Sequence, residues 1–391
     1  MEPAGIYLHL PFCASRCSYC AFTTVTDHQE TRAEYCQSLA EEIRRVARHG
    51  RSMGGVTLPA QHGRRISTVY LGGGTPSLLT HAQMEQVLAA IHDHFILAEG
   101  AEVTLEANPE TVTCQAAKVW RALGVNRVSL GAQSFRDPVL RALGRRHDGQ
   151  RIGAALRQVR QAGIRQVSLD IIAGVQGDHL LDDLRQAAAL APDHLSMYLL
   201  ELDEDEVGGV TNLARRVQAG RAHAPDEDWF AAVYPRAVEQ LARAGLARYE
   251  ISNFARPGCK SQHNLRYWRC QDVLGFGVAS HSLVAGERHG ITRDLSAYLA
   301  AVRGGKEPAL ERDSAGLDQR TAEAWILGLR LDEGVSVDEI VRRTGNRSAL
   351  PPMKRLARAI SAGLLVRQGD RLRLTARGVL LSNEVFQAFL P

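Results

Sequence analysis

Three of the chain's seven cysteines, Cys13, Cys17 and Cys20, fall within one short stretch with the spacing Cys-x3-Cys-x2-Cys. Thiols this crowded share a metal or do redox work. Structural zinc takes four protein ligands, usually from two paired motifs, and no second Cys-x2-Cys occurs in the sequence. A four-iron cluster is ordinarily held by four thiolates. Three would leave one iron open to an outside ligand. The plain alternative is three structural thiols in a turn. Pro11, Ser15, Arg16, Ser18 and the neighbouring aromatics instead mark a loop, where burying a thiol would stabilise little. An odd cysteine count in a long chain also argues against a disulfide framework and for a reducing compartment.

Other residues have the same character. Leu71-Gly72-Gly73-Gly74-Thr75-Pro76-Ser77 carries a glycine triplet, which lets backbone groups approach a ligand closely. Taken alone it is equally a tight turn. Glu106, Gln133 and Asp170 each close an apolar run. Each could be a helix cap or turn residue. Their recurrence at one topological position describes a shared pocket. Further on stands His263-Asn264-Leu265-Arg266-Tyr267-Trp268, flanked by Cys259 and Cys270. Cys259, His263 and Cys270 fit no common zinc spacing. A histidine beside aromatics is more often a satisfied structural residue than a ligand.

The elements that must position these groups alternate between strand and helix. Strands are expected at Gly5–Leu10, Ser67–Leu71, Glu102–Glu106, Arg127–Leu130, Gln166–Ile172, His194–Leu200 and Arg248–Ile251. Helices are expected at Glu30–Arg48 after an Asp27 cap, Ala82–Phe95, Thr111–Leu123, Arg151–Ala162, Leu181–Ala191 and Asp226–Ala244. This alternation predicts an α/β fold with parallel strands and right-handed crossovers. A barrel and an open doubly wound sheet fit the pattern equally well. Both place the site at the C-terminal strand ends. Residues 51–65 read as a surface loop and 303–317 as a linker. Beyond it, Asp318–Leu331, Val337–Thr344 and Leu350–Ala362 read as helices. Leu364–Gln368 and Arg371–Thr375 form a hairpin around Gly369-Asp370, and Gly378–Leu390 is a last helix. Helices followed by a small hairpin describe a winged-helix-like domain. The expected division is 1–235, 236–302 and 303–391.

With 45% hydrophobic and 23% charged residues, wholesale disorder and a collagen-like fibre are excluded. A net charge of +4 is too small to argue for nucleic acid. Lys354, Arg355 and Arg358 of the winged-helix-like part read as a solvated face, so no DNA partner is expected. The first residues, Met1-Glu2-Pro3-Ala4-Gly5, do not resemble a signal peptide, and no apolar run approaches the roughly 20 residues of a membrane span. The expectation is a cytoplasmic protein that touches a membrane only through a partner.

The cysteine triplet after an early strand, beside the glycine triplet, resembles the radical SAM superfamily. The match extends through Glu106-Ala107-Asn108-Pro109, Gly131-Ala132-Gln133-Ser134-Phe135, Leu143-Gly144-Arg145-Arg146-His147 and Leu169-Asp170-Ile171-Ile172-Ala173-Gly174. Together these resemble the oxygen-independent coproporphyrinogen III oxidase-like branch over essentially the whole chain. The resemblance implies a partial (β/α)6 TIM-like barrel with a C-terminal α+β winged-helix-like domain. It implies a [4Fe-4S] cluster on Cys13, Cys17 and Cys20, with the open iron chelating S-adenosylmethionine (SAM). Tyr7, Gly73 and Glu106 would contact one SAM. Tyr19, Gly74, Thr75, Gln133, Arg145 and Asp170 match positions around a second SAM-like site. Arg145 suits a carboxylate, and Asp170 a ribose hydroxyl or an ammonium group.

Within that branch, His263–Trp268 resembles the HNxxYW haem signature of the radical SAM haem chaperones, the HemW family. Imidazole can ligate haem iron, and Tyr or Trp can stack on a porphyrin. His263 is the ligand candidate, Tyr267 and Trp268 line the pocket, and His281 is a second candidate. The implied function is binding haem and handing it to an acceptor haemoprotein. The competing expectation is a radical SAM enzyme acting on a porphyrinogen, or a C-methyltransferase. Two departures from the coproporphyrinogen enzyme oppose it: Phe22 stands where that enzyme has a fourth cysteine, and only twelve residues precede Cys13. Gly174-Val175-Gln176-Gly177-Asp178-His179 also departs from the branch's usual GLPGQT.

Overall fold

Strict period-two alternation in the central strands decides which residues meet solvent and which meet helices. The computed structural model describes every residue except 1, 27, 54–55, 176–178, 201, 203–209, 224–225, 313–314, 348–352 and 391. The expected Asp27 cap and the altered loop at 176–178 lie outside the described residues. Among the described residues the main sheet has twelve strands. They are β1 (Ala4–Leu10), β2 (Arg65–Gly73), β3 (Ile96–Ala107), β4 (Arg127–Gln133), β5 (Gln166–Ala173) and β6 (His194–Leu199). Then come β7 (Ala247–Arg248), β8 (Asn253–Ala255), β9 (Val273–Phe276), β10 (His281–Val284), β11 (Glu287–Ile291) and β12 (Leu310–Arg312).

Strands β1 to β6 are parallel neighbours in sequence order. A doubly wound sheet would reverse its strand order partway. No such reversal occurs between β1 and β6, so the architecture is the expected partial barrel and not a doubly wound sheet. It stays open because other strands occupy its edges. Strand β9 pairs parallel with β1, and β8 pairs antiparallel with β6. Outward-facing Val103, Leu105, Val128, Leu130, Val167, Leu169, Leu195 and Met197 are buried. The helices that cover them start at side-chain caps, such as Thr80 with Gln83, Thr113, Asp148 and Asp226.

Some expectations change. Residues 51–65 are not a plain loop: Arg51–Met53 pairs with Val56–Leu58. Arg51 is buried against Glu42, so the polar pattern hid an interior ion pair. The 303–317 linker contains β12, which pairs with β11. The strand expected at Arg248–Ile251 shrinks to β7 and a single bridge between Glu250 and Leu331. The last helix is two, Ala376–Leu380 and Ser382–Gln387, broken at Leu381.

In the C-terminal domain, Arg371–Leu374 pairs with both Leu365–Gln368 and Val335–Ser336. Helices Leu317–Leu329, Val337–Thr344 and Met353–Ser361 accompany this small sheet. It docks on the barrel through Arg248–Asp332 (2.8 Å) and Arg330–Glu250 (3.2 Å), with Arg330 also lying 4.4 Å over Trp268. No helix among the described residues is long and apolar enough to cross a membrane.

Candidate functional site

The inward positions of β3 to β6 are polar where the outward ones are apolar. Thr104 and Glu106, Ser129 and Gly131, Ser168 and Asp170, and His194, Ser196 and Tyr198 all line one cavity of about 390 Å³. Cys13, Cys17, Cys20, Tyr19, Gly73, Gly74, Thr75, Gln133 and Arg145 line it too. The strand ends thus bring nearly all of the expected cluster and SAM residues together. Tyr7 is next to them, its ring stacked 6.1 Å from Tyr70. A larger cavity of about 830 Å³ lies toward the C-terminal domain. Several of its arginines are already paired with carboxylates: Arg269 with Glu333, Arg288 with Glu323 and Arg320 with Glu287. Its chemistry is that of a docking seam.

The glycine triplet works by what it lacks. A methyl group on Gly72 would meet the rings of Tyr70 and Tyr7 and the carboxylate of Glu106 at 2.9–3.2 Å. Gly73 has φ 108° and packs against the His9 ring. Its N–H donates to Glu106 Oε2 (3.2 Å), while Tyr70 Oη donates to Oε1 (2.7 Å). Gly74 lies flush on the backbone of Pro11 and Phe12, the segment that leads into Cys13. Gly74 N–H donates to Leu10 O and Thr75 N–H to Phe12 O, both at 2.8 Å. The Thr75 hydroxyl points at Cys13 Sγ (3.5 Å).

Across the cavity, Arg145 donates to Asn108 Oδ1 (2.6 Å) and Gly131 O (2.8 Å), and lies 3.6 Å from Cys17 Sγ. Asp170 accepts from Ser129 at 3.0–3.1 Å. Gln133 sits in the left-handed region (φ 65°), an unusual position for a side-chain-bearing residue and a mark of functional sites. Burial raises the pKa of Asp170 and lifts Glu106 to about 7. It also raises the Cys13 thiol and pushes Cys20 to about 11.

Among the described residues, no group of three His, Cys, Asp or Glu is set to hold a single metal ion. That is not the geometry a four-iron cluster requires, since each thiolate binds a different iron. The donor set fits such a cluster: three thiols on one loop, facing one cavity. Two wall atoms, Arg145 Nε and Thr104 Oγ1, are buried without a hydrogen-bond partner, as befits a site that receives a polar guest.

The HNxxYW segment forms a short helix, Gln262–Trp268. The Ser261 side chain caps it. The Glu102 carboxylate accepts from the N–H groups of Gln262 and His263, each at 3.0 Å. His263 is 1% exposed. Its Nδ1 bonds the Thr68 hydroxyl (2.9 Å) and its Nε2 the Tyr267 hydroxyl (3.0 Å). In this conformation neither nitrogen faces an open position. Burial lowers its pKa to about 3, so the ring is neutral. Tyr267 is 36% exposed. Trp268 has Arg330 over its ring and serves the domain junction. His281 lies on β10, exposed and against Gly290, apart from this cluster. Sequence reasoning passed over Tyr70, Thr104, Asn108, Ser196 and Asn264. Asn108 and Asn264 were visible inside quoted motifs; the other three were visible only as polar breaks in strand alternation.

An open parallel barrel with three thiols at its C-terminal mouth defines the class: a radical SAM protein. The family model described as the Radical SAM superfamily matches residues 7–191, and that described as the HemN C-terminal domain matches 317–381. The chain is 35% identical to the heme chaperone HemW of Mycobacterium tuberculosis, covering 100% of this chain and 95% of that one. It is 31% identical to heme chaperone HemW of Escherichia coli (100% and 99% covered) and of Bacillus subtilis (98% of each). Its fold matches the structure of coproporphyrinogen III oxidase (HemN) from Escherichia coli with a TM-score of 0.82, at 24% identity, over 99% of this chain and 90% of that one. The chain belongs to the HemW family.

Proposed function

We propose that this protein binds haem and passes it to an acceptor haemoprotein, with a [4Fe-4S] cluster and SAM bound at the barrel mouth. Whole-length likeness to relatives named heme chaperone carries this reading. Cys13, Cys17 and Cys20 would hold the cluster, which supplies an open iron for the amino and carboxylate groups of SAM. Glu106, with Gly73, would accept a hydrogen bond from the iron-bound amino group, and Arg145 would take the carboxylate of a second SAM-like guest. Phe22, at the rim of the cavity, supplies no fourth thiolate. Asp170 would take a ribose hydroxyl.

His263 is the iron-ligand candidate in the haem role, with Tyr267 as the accessible ring beside it. Ligation requires one ring nitrogen to exchange its hydroxyl partner for iron, Tyr267 at Nε2 or Thr68 at Nδ1. The test is anaerobic reconstitution followed by haem titration. Wild type should develop a Soret band that His263→Ala shifts or abolishes, while Cys13→Ser removes the cluster and leaves haem binding. No Soret change in His263→Ala would sink the ligand assignment.

A further inference from the structure

The HNxxYW helix is joined to the SAM side of the barrel by contacts that haem binding does not account for. The His263 ring stacks on Tyr70, with centroids 5.0 Å apart and planes 28° apart. Tyr70 stacks in turn on Tyr7 (6.1 Å, 26°). Tyr7 also lies 6.4 Å from His263, so the three rings form one packed group. The sheet register explains why they meet. Tyr7 of β1 pairs directly with Tyr70 of β2. Thr68, which bonds His263 Nδ1, is two residues earlier on the same face of β2, opposite Glu102. Glu102 caps the helix that carries His263. The far end of the group is the Tyr70 hydroxyl, which donates to Glu106 (2.7 Å). Asn264 and Ser261 also border the cluster cavity.

We infer that His263 is a positioning residue of the SAM site: its ring fixes Tyr70, and Tyr70 fixes the Glu106 carboxylate. A tyrosine on a strand face has two open torsions unless something packs on its ring. His263 and Tyr7 both pack against Tyr70, the three rings standing at the corners of a triangle, and Gly72 leaves room for the two tyrosine rings beside Glu106. Held there, the hydroxyl orients one carboxylate oxygen while Gly73 N–H orients the other. Glu106 is thus presented in one geometry to the SAM amino group, with little ordering left to do on binding. This rests on the reading of Glu106 as the partner of the SAM amino group. Two SAM contacts of the family pattern, Tyr7 and Glu106, then depend on a residue of the haem motif.

The experiment measures SAM dissociation constants by equilibrium dialysis on reconstituted full-length protein, with iron content and melting temperature recorded alongside. Tyr70→Phe keeps the ring and removes the hydroxyl bond to Glu106. It should weaken SAM about tenfold, the worth of one hydrogen bond to a charged group. His263→Ala should weaken it by a similar factor. The double variant should be little worse than either single one, because both act through the same carboxylate. His263→Phe keeps a ring against Tyr70 without an iron-ligating nitrogen. It should restore SAM affinity to within about threefold of wild type while leaving the Soret band lost. Glu106→Gln separates the two claims. If it leaves SAM affinity unchanged, the reading of Glu106 fails. If it weakens SAM but Tyr70→Phe and His263→Ala do not, the positioning role of His263 is refuted and the reading stands.

Discussion

Replacing Gly74 with alanine tests whether the glycine triplet holds the cluster loop by direct backbone contact. Gly74 has an ordinary φ, so alanine meets no conformational barrier there, and the effect is purely steric. Its new methyl would lie 2.7 Å from Phe12 O and from Pro11 C. Ordinary contact begins at 3.4 Å, so the two segments must separate by about 0.7 Å. Neither neighbour is a flexible side-chain end. The shift stretches the bonds from Gly74 N–H to Leu10 O and from Thr75 N–H to Phe12 O. Overpacking of this kind costs about 1–3 kcal/mol, and each weakened hydrogen bond up to about 1 kcal/mol. The sum, about 1–5 kcal/mol, is within what most proteins with about 5–15 kcal/mol of stability can lose and still fold. The damage should therefore concentrate where the strain is, at the segment that leads into Cys13.

Gly74→Ala should accordingly fold with a lowered melting temperature, retain less than about half of the wild-type iron after anaerobic reconstitution, and bind SAM weakly. Gly100→Ala is the control. Gly100 has φ 71° with nothing within 4 Å of the added methyl, so it costs about 1 kcal/mol of backbone strain and leaves the site alone. Its iron content should equal that of wild type. Full iron and wild-type SAM affinity in Gly74→Ala would refute the steric reasoning.

Two further outcomes follow from buried acids. Burial lifts Glu106 to about 7, so below that pH the carboxyl is protonated and is a weaker acceptor for the SAM amino group. SAM affinity, read by dialysis, should fall about tenfold between pH 8 and pH 6, and Glu106→Gln should flatten that profile. The sign for folding is opposite: the group ionises at 4.5 when unfolded, so its contribution to stability is lost as pH rises through about 7. Glu42 is 0% exposed and accepts from Tyr298 (2.7 Å) and Gly277 N–H (2.9 Å) while paired with Arg51. Glu42→Ala leaves the buried Arg51 guanidinium only its longer pair with Glu307 (3.6 Å) and should cost about 3–5 kcal/mol in urea denaturation. A loss below about 1 kcal/mol would mean that Glu307 takes over as its partner.

Much of this was legible because strands β3 to β6 advertise two faces. Val103 and Leu105 beside Thr104 and Glu106, or Val167 and Leu169 beside Ser168 and Asp170, announce both an outer apolar layer and an inner polar wall. The cysteine and glycine triplets needed no structure to be found, because their spacing carries the chemistry. What escaped were short elements and distant pairings. Val273–Phe276 is four residues long and reads as part of a glycine-rich motif; its place beside β1 is set by contacts some 270 residues away in sequence. Arg51 looked like a loop cation because its partner, Glu42, is on a helix whose polar residues point inward at that position. Tyr70 looked like strand filler. Only the register that sets it beside Tyr7, and the docking of the Gln262–Trp268 helix on the same face, reveal what its hydroxyl does.

The two signatures that drew attention first, the thiol triplet and HNxxYW, meet through that tyrosine. Both nitrogens of His263 and one face of its ring are engaged: by Thr68, by Tyr267 and by Tyr70. An imidazole so held binds iron only after one nitrogen leaves its hydroxyl, Nε2 leaving Tyr267 or Nδ1 leaving Thr68. If that exchange also turns the ring off Tyr70, haem affinity includes the cost of disturbing the Glu106 side of the barrel. Thermodynamic linkage then requires the reverse: a guest that tightens the Glu106 geometry changes haem affinity by the same factor. On that proposal the HNxxYW helix and the Glu106 side of the cavity act as one mechanical unit, joined at His263, rather than as two sites that happen to share a chain.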